Sequence, residues 1–418
     1  MTEAGPLSHD VLPISPRVRA VSASESSAGK LDPLTSIRFF GAVYVVAGHW
    51  WRLGVPIGSH NDLLSRSLLL GGACVSGFYL LSGFILGWVY LTQGERLNKR
   101  QFYMSRFARI YPIFLITLVA DTPWYFLSHI AQLGAKGALI KTGTVFTSCL
   151  LMLQAWGPHF WGMDFPNWSL SVETLCYTLF PFVGFFLWRL RGVWVWLAML
   201  LLYVGGQVLV AVAVMVALSK KIEPEVMLYF PPLHVSTFLL GILVARLQMC
   251  SIERDGRARP AACPTYIALG ISIATYAVTI LITSNNLADS PFGRAFIRDG
   301  FLAPVFCLLV WALSRENTVV SRLLSTKWLV ILGDASYGLY LIHLPVLHLA
   351  LPLLLHLHAG VTSHQFRTRY VILFLMYLGL CIVLSIASFY WIESPARKWI
   401  ARRARSQPRK IAELASAG

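Results

Sequence analysis

The chain is 418 residues long, 56% hydrophobic and only 13% charged, and its apolar residues come in long runs instead of amphipathic stripes. No soluble core needs so many such segments, so the composition marks a membrane protein. The formal charge of +16 is spread over loops and a basic C-terminal tail beside these apolar runs, so it is read with the lipid bilayer and not as a nucleic-acid signature.

Residues 1–33 are polar and rich in Ser and Pro, with no apolar signal-peptide core. They read as a disordered cytoplasmic tail, and the first spanning helix then acts as the insertion signal. The seven cysteines are odd in number, have no metal-like spacing and fall mostly in apolar segments (Cys74, Cys149, Cys176, Cys307, Cys381). Buried small hydrophobes explain them better than disulfides or a metal.

The first apolar segment, Leu34–Leu53, carries Arg38 near its start and His49 near its end. On a helix the two lie roughly 16 Å apart along the axis and leave the same face, because eleven residues make about three turns. An ionisable group inside a spanning helix is costly and by default marks a function. A lone intramembrane His is often a hydrogen-bonded packing residue; an Arg on the same face shifts the balance towards chemistry. Trp50 and Trp51 beside it read as an interfacial pair.

Further apolar runs place helices near 68–91, 109–131, 168–188, 192–218, 227–246, 262–285, 299–314, 333–357 and 369–392, with a weaker candidate at 143–156. The positive-inside rule arbitrates that candidate. If it does not cross, 25 of the 35 Lys and Arg lie inside; if it does, the inside share falls to 15. The sequence therefore predicts an all-α integral membrane protein with about ten transmembrane helices and both termini cytoplasmic. Residues 132–167 then form one outer segment holding a re-entrant or interfacial piece, which is tolerated where protein or water covers it. The membrane domain spans 34–397, and 398–418 is a basic cytoplasmic tail.

The cytoplasmic loop 92–109 brings Arg106 and Arg109, which share one helix face. Basic loops hold orientation and bind anionic lipid heads. Guanidinium forks also suit phosphate oxygens, so the pair is a candidate phosphate clamp with Arg38. Asn167–Pro181 (NWSLSVETLCYTLFP) reads as a helix N-terminus with Ser169 as cap and Val172 at N3, an imperfect capping box. Glu173 then falls about one turn inside the helix, near the outer face. An acidic residue there favours the helix dipole, yet a Glu near an intramembrane His also makes a base-plus-orienter pair. Tyr177 follows one turn later on the same face. In Asp334–Pro345 (DASYGLYLIHLP), Tyr337, Tyr340 and His343 recur every three residues as a polar seam. Glu393, at the cytoplasmic end of the last helix, is expected to pair with a nearby Arg or Lys.

Together these stretches resemble the acyltransferase-3 family of integral-membrane O-acyltransferases. The Arg–ten residues–His spacing resembles its first-helix hallmark, GFYLLSGFILG (Gly77–Gly87) its second-helix motif, and RFARIYP (Arg106–Pro112) its basic third-helix entry. WSLSVETLCYTLFP, SYGLYLIH and IESP resemble its later signatures, in the family's order, over nearly the whole chain. The chain departs at Asp32, which lies three positions too early, and at Ser105, where the family often has a further Arg. The resemblance implies a cytoplasmic acyl-coenzyme A donor, acetyl most of all, with its phosphates on Arg38, Arg106 and Arg109. It implies His49 as general base with Glu173 orienting it, no metal, a sugar hydroxyl as acceptor and a multi-pass place in the plasma membrane. The competing class is a proton-coupled secondary transporter or flippase, but neither inverted repeats nor paired broken helices are found.

Overall fold

The computed structural model describes residues 31–53, 68, 71–91, 97–157, 165–222, 228–255, 262–283, 290–315, 318–358, 363–400 and 402. The predicted tails, 1–33 and 398–418, lie almost wholly outside them. Every described element is helical. In chain order these are α1 (Asp32–Leu53), α2 (Gly71–Leu86, closed by a π-turn over Gly87–Leu91), α3 (Lys99–Leu150), α4 (Trp168–Trp188), α5 (Val193–Ser219) and α6 (Val235–Asp255). There follow α7 (Ala262–Thr283), α8 (Pro291–Arg298), α9 (Ala303–Leu313), α10 (Val319–Leu324), α11 (Lys327–His358) and α12 (Ser363–Ser388), which ends in a π-turn over Phe389–Glu393. Nine helical stretches among the described residues are long and apolar enough to cross a membrane. Helix α1 has the length as well, 22 residues, but carries Arg38 and His49. The protein is an all-α integral membrane protein.

Where a helix meets lipid its side chains are apolar and exposed, and α5 shows this with Val193, Trp194, Trp196, Leu200 and Leu201 all on the outside. Inside the bundle helices cannot rely on the hydrophobic effect, since lipid tails are as apolar as Leu; they gain by close backbone approach over small residues. Helices α2 and α6 do so at two glycines. A Cβ on Gly83 would collide with the Phe238 carbonyl oxygen, and one on Gly241 with that of Leu80. Gly333 sets α11 against α1 in the same way, beneath the Thr35 carbonyl.

Helix α11 is the central pillar and runs parallel to both α1 and α3. Against α3 the register is constant: the Tyr337 hydroxyl donates to the Ile110 carbonyl (3.0 Å), and His348 meets Asp121 (2.6 Å), each pair 227 residues apart. Trp50 is not interfacial. It is 3% exposed and packs on Tyr377 (centroids 4.8 Å apart) and Tyr370 (5.3 Å) of α12.

Helix α3 spans 52 residues and breaks at Gly134, whose φ of 66° and ψ of 168° lie outside helical space. Its return arm folds back on the outgoing one, so that the Tyr111 hydroxyl donates to the Leu150 carbonyl (3.1 Å) and Val145 and Cys149 pack in one core with Ile110 and Phe114. Residues 151–157 are not helical, and the next described residues begin at Phe165. Exposed backbone there would be costly away from water, and buried polar side chains cover it. Ser171 Oγ donates to the Met152 carbonyl (2.7 Å), Gln154 Nε2 to that of Asn167 (2.7 Å), and Ser169 Oγ to that of Pro166 (2.9 Å). Ser169 is therefore not the cap of α4. Asn167 holds the N-cap position, without a side-chain cap bond. A third difference from expectation lies at 299–314, where the apolar run is reached through α8 and a turn at Gly300 (φ 99°) before α9 begins.

Candidate active site

Two cavities adjoin inside the bundle. The first, a cleft with a cavity volume of about 70 Å³, is lined by Arg38 of α1, Ser82 of α2, Arg106 and Arg109 of α3, Glu173 of α4 and Tyr337 of α11. The second holds His49 with Gly72 of α2, Trp168 of α4, Arg298 at the end of α8, and Tyr340 of α11. Val75 and Tyr340 line both and form the partition between them. The polar seam of α11 thus climbs from one cavity to the other: Tyr337 in the arginine cleft, Tyr340 at the partition, His343 beside His49. Three residues of helix rise by about 4.5 Å, so the climb takes roughly 9 Å.

In the upper cavity, His49 Nδ1 lies 2.9 Å from His343 Nε2, and the rings are nearly coplanar at 11°. His343 is fully buried, and its backbone carbonyl accepts from the Tyr377 hydroxyl (2.6 Å), which ties this turn of α11 to α12. One hydrogen lies between the two rings. With Nδ1–H of His49 as donor, its Nε2 is the nitrogen that carries the lone pair. Tyr340 Oη sits within hydrogen-bond distance of the Pro166 carbonyl (3.1 Å) and Ser169 Oγ (3.0 Å), which fastens the start of α4 to α11.

In the lower cleft, Arg38 has Arg109, Glu173 and Asp334 as its charged neighbours, and Arg109 has Glu173 and Glu393. The Glu173 carboxylate accepts from the Tyr177 hydroxyl one turn on. Arg106 lies over the rings of Tyr177 (5.7 Å) and Tyr90 (5.8 Å), contacts that fix a guanidinium without neutralising it. Glu393 is fully buried and pairs with Arg397 (3.0 Å).

The sequence-derived candidates therefore divide between the cavities. Arg38, Arg106 and Arg109 converge as the clamp reading requires, and Tyr337 joins them. His49 and His343 come together, with Tyr340 alongside. Glu173 lies with the arginines and Tyr177, at the depth of Arg38 rather than near the outer face, because α4 starts beside the upper cavity and descends.

Sequence reasoning missed three features. Arg298 reads as a plain loop charge at the edge of an apolar run. Asp121–His348 and His234–Asp299 (3.5 Å) are buried pairs whose members stand far apart in sequence. The signal available for each was a single ionisable residue within or beside an apolar stretch.

A family profile described as an acyltransferase domain matches residues 33–389. The chain belongs to this family and is a membrane-embedded acyltransferase. It is similar to the acyltransferase MdmB of Streptomyces mycarofaciens, 27% identical over 76% of this chain and 79% of that one. It is also similar to the peptidoglycan O-acetyltransferase OatA of Listeria monocytogenes (24% identical, 77% of this chain) and the O-acetyltransferase OatA of Staphylococcus aureus (22%, 88% of this chain). The match spans only 50% and 57% of those two proteins' lengths. No solved structure matches.

Proposed function

We propose that the protein is a plasma-membrane O-acyltransferase that moves an acyl group, acetyl first of all, from cytoplasmic acyl-coenzyme A to a sugar hydroxyl of a cell-surface or secreted glycan or glycoside. The observation that carries this reading is the adjoining of the two cavities at Val75 and Tyr340, with Arg38, Arg106 and Arg109 in one and His49, in contact with the buried His343, in the other. Acyl-coenzyme A has that bipartite chemistry: clustered phosphates at one end and a thioester at the end of a long thin arm. Arg38, Arg106 and Arg109 offer forks for the phosphates, and the arm passes the partition to bring the thioester to His49. Nε2 of His49 takes the proton of the acceptor hydroxyl as its oxygen bonds to the thioester carbon. The carbon–sulfur bond then breaks, and the proton passes from His49 to the leaving thiolate. The names of the OatA relatives support O-acetylation of a glycan.

The test is acetyl-coenzyme A consumption by the purified full chain in lipid nanodiscs, paired with mass spectrometry of surface and secreted glycans from a deletion strain. The reading expects release of free coenzyme A and loss of one alkali-labile acetyl ester in the deletion strain. An inert protein and an unchanged glycan profile would overturn it.

A further inference from the structure

We propose that Arg298 is a catalytic residue, the group that stabilises the oxyanion formed on the thioester carbonyl when the acceptor attacks. This rests on the acyl-transfer reading above. Attack places a full negative charge on the carbonyl oxygen, and a preorganised donor aimed at that oxygen in a dry site is commonly the largest single contribution to such catalysis. The cavity that holds His49 needs such a donor close by. Among its lining residues Arg298 is the one Lys or Arg. Tyr340, which also lines it, has its hydroxyl within hydrogen-bond distance of the Pro166 carbonyl and Ser169 Oγ, and Trp168 offers a single neutral N–H.

The protein holds Arg298 in place by shape. Its stem crosses α2 at Gly72, where a Cβ would stand 2.8 Å from Arg298 Cγ. Its guanidinium lies over the rings of Tyr229 (4.2 Å) and Trp168 (5.6 Å), which hold a cation without cancelling its charge. Its carbonyl accepts from Ser76 Oγ (2.8 Å), pinning the end of α8 to α2. Trp168 lines the cavity too, so the aromatic that seats the guanidinium is also a wall of the site. The rival role is electrostatic balance. Asp299 is 2% exposed and follows directly in sequence, and Arg298 could serve only as its counter-charge.

The experiment separates the two roles. Full-length protein in nanodiscs is assayed with acetyl-coenzyme A by release of the free thiol, for wild type, Arg298→Lys, Gly72→Ala and the double variant Arg298→Gln/Asp299→Asn. The double variant removes both charges, so a mere counter-charge role leaves it folded and active. The oxyanion role predicts a folded protein with unchanged melting temperature, kcat lower by about 10²–10³-fold and KM for acetyl-coenzyme A within about twofold. Lys should retain an intermediate rate, since it keeps the charge but not the fork. Gly72→Ala should lower kcat with Arg298 still present, because it displaces the stem, and it decides the matter together with Arg298→Lys if the double variant fails to fold. Wild-type kcat in the double variant, or in both of the other two, would overturn the role of Arg298. A wild-type protein inert to acyl-coenzyme A overturns the function reading instead.

Discussion

Nε2 of His343 stands 2.9 Å from Nδ1 of His49, across 294 residues of sequence. The contact gives each histidine a different expected phenotype. His49→Ala should lower kcat by about 10²–10⁴-fold, the usual worth of a positioned proton acceptor. His49→Gln should be nearly as slow, since an amide does not titrate. His343→Gln keeps an acceptor near the His49 Nδ1–H and should fall less far, with the pH dependence of kcat displaced because the partner of the base has changed. Thiol release across a pH series checks all three. Near-normal turnover by His49→Gln would remove it from the mechanism.

The arginine cleft predicts a binding defect, not a chemical one. Arg106→Ala and Arg109→Ala should each raise KM for acyl-coenzyme A by about 10–100-fold, as expected for a lost charge-assisted phosphate contact of about 1.5–3 kcal/mol. Lys at either position should restore only part of this. Wild-type KM in both alanine variants, with altered membrane orientation, would leave the loop a purely topogenic role.

Glu173→Gln distinguishes orientation of the base from organisation of the cleft. Its neighbours are Tyr177 and the arginines, so losing the carboxylate that spaces those cations should raise donor KM several-fold and spare the pH profile of kcat. A large kcat loss at constant KM would tie Glu173 to His49 after all.

The glycine crossing of α2 and α6 predicts a stability defect. Gly83→Val or Gly241→Val drives side-chain atoms into the facing carbonyl, and overpacking of this kind costs about 1–3 kcal/mol or more. Both should lower the melting temperature in detergent, whereas Gly205→Val, at a glycine with open space around it, should not.

Accessibility tests the orientation argued from charge. With native cysteines replaced by serine, Lys136→Cys just beyond the Gly134 break should label with an impermeant reagent in intact cells. Arg191→Cys, between α4 and α5, should label only after lysis. The reverse pattern would invert every loop.

Much of this arrangement is legible in the sequence, and what is missing has a common cause. The apolar runs and the single ionisable residues inside them stand out because lipid tolerates little else. Which polar groups meet is not legible. His49 and His343 come together through a register set by Gly333 under Thr35, a contact between distant backbones. Depth failed at Glu173 because charge counting assumes that a span begins at the membrane surface, whereas α4 begins beside the cavity that holds His49. Trp50 read as an interfacial anchor because aromatic clusters near helix ends usually are. Its packing against Tyr377 and Tyr370 depends on α12, far downstream in the chain.

The seating of α1 also bears on how the protein is made. Ser36 Oγ donates to the Leu324 carbonyl, His49 meets His343, and the Trp50 carbonyl accepts from the Tyr370 hydroxyl, at separations of 288, 294 and 320 residues. Helix α1 thus leaves the ribosome long before the segments that receive these three contacts. Until they arrive, Ser36, His49 and the Trp50 carbonyl lack these partners. A chain truncated before Tyr370 lacks that seat for α1, and a polar spanning helix without its partners is costly in lipid.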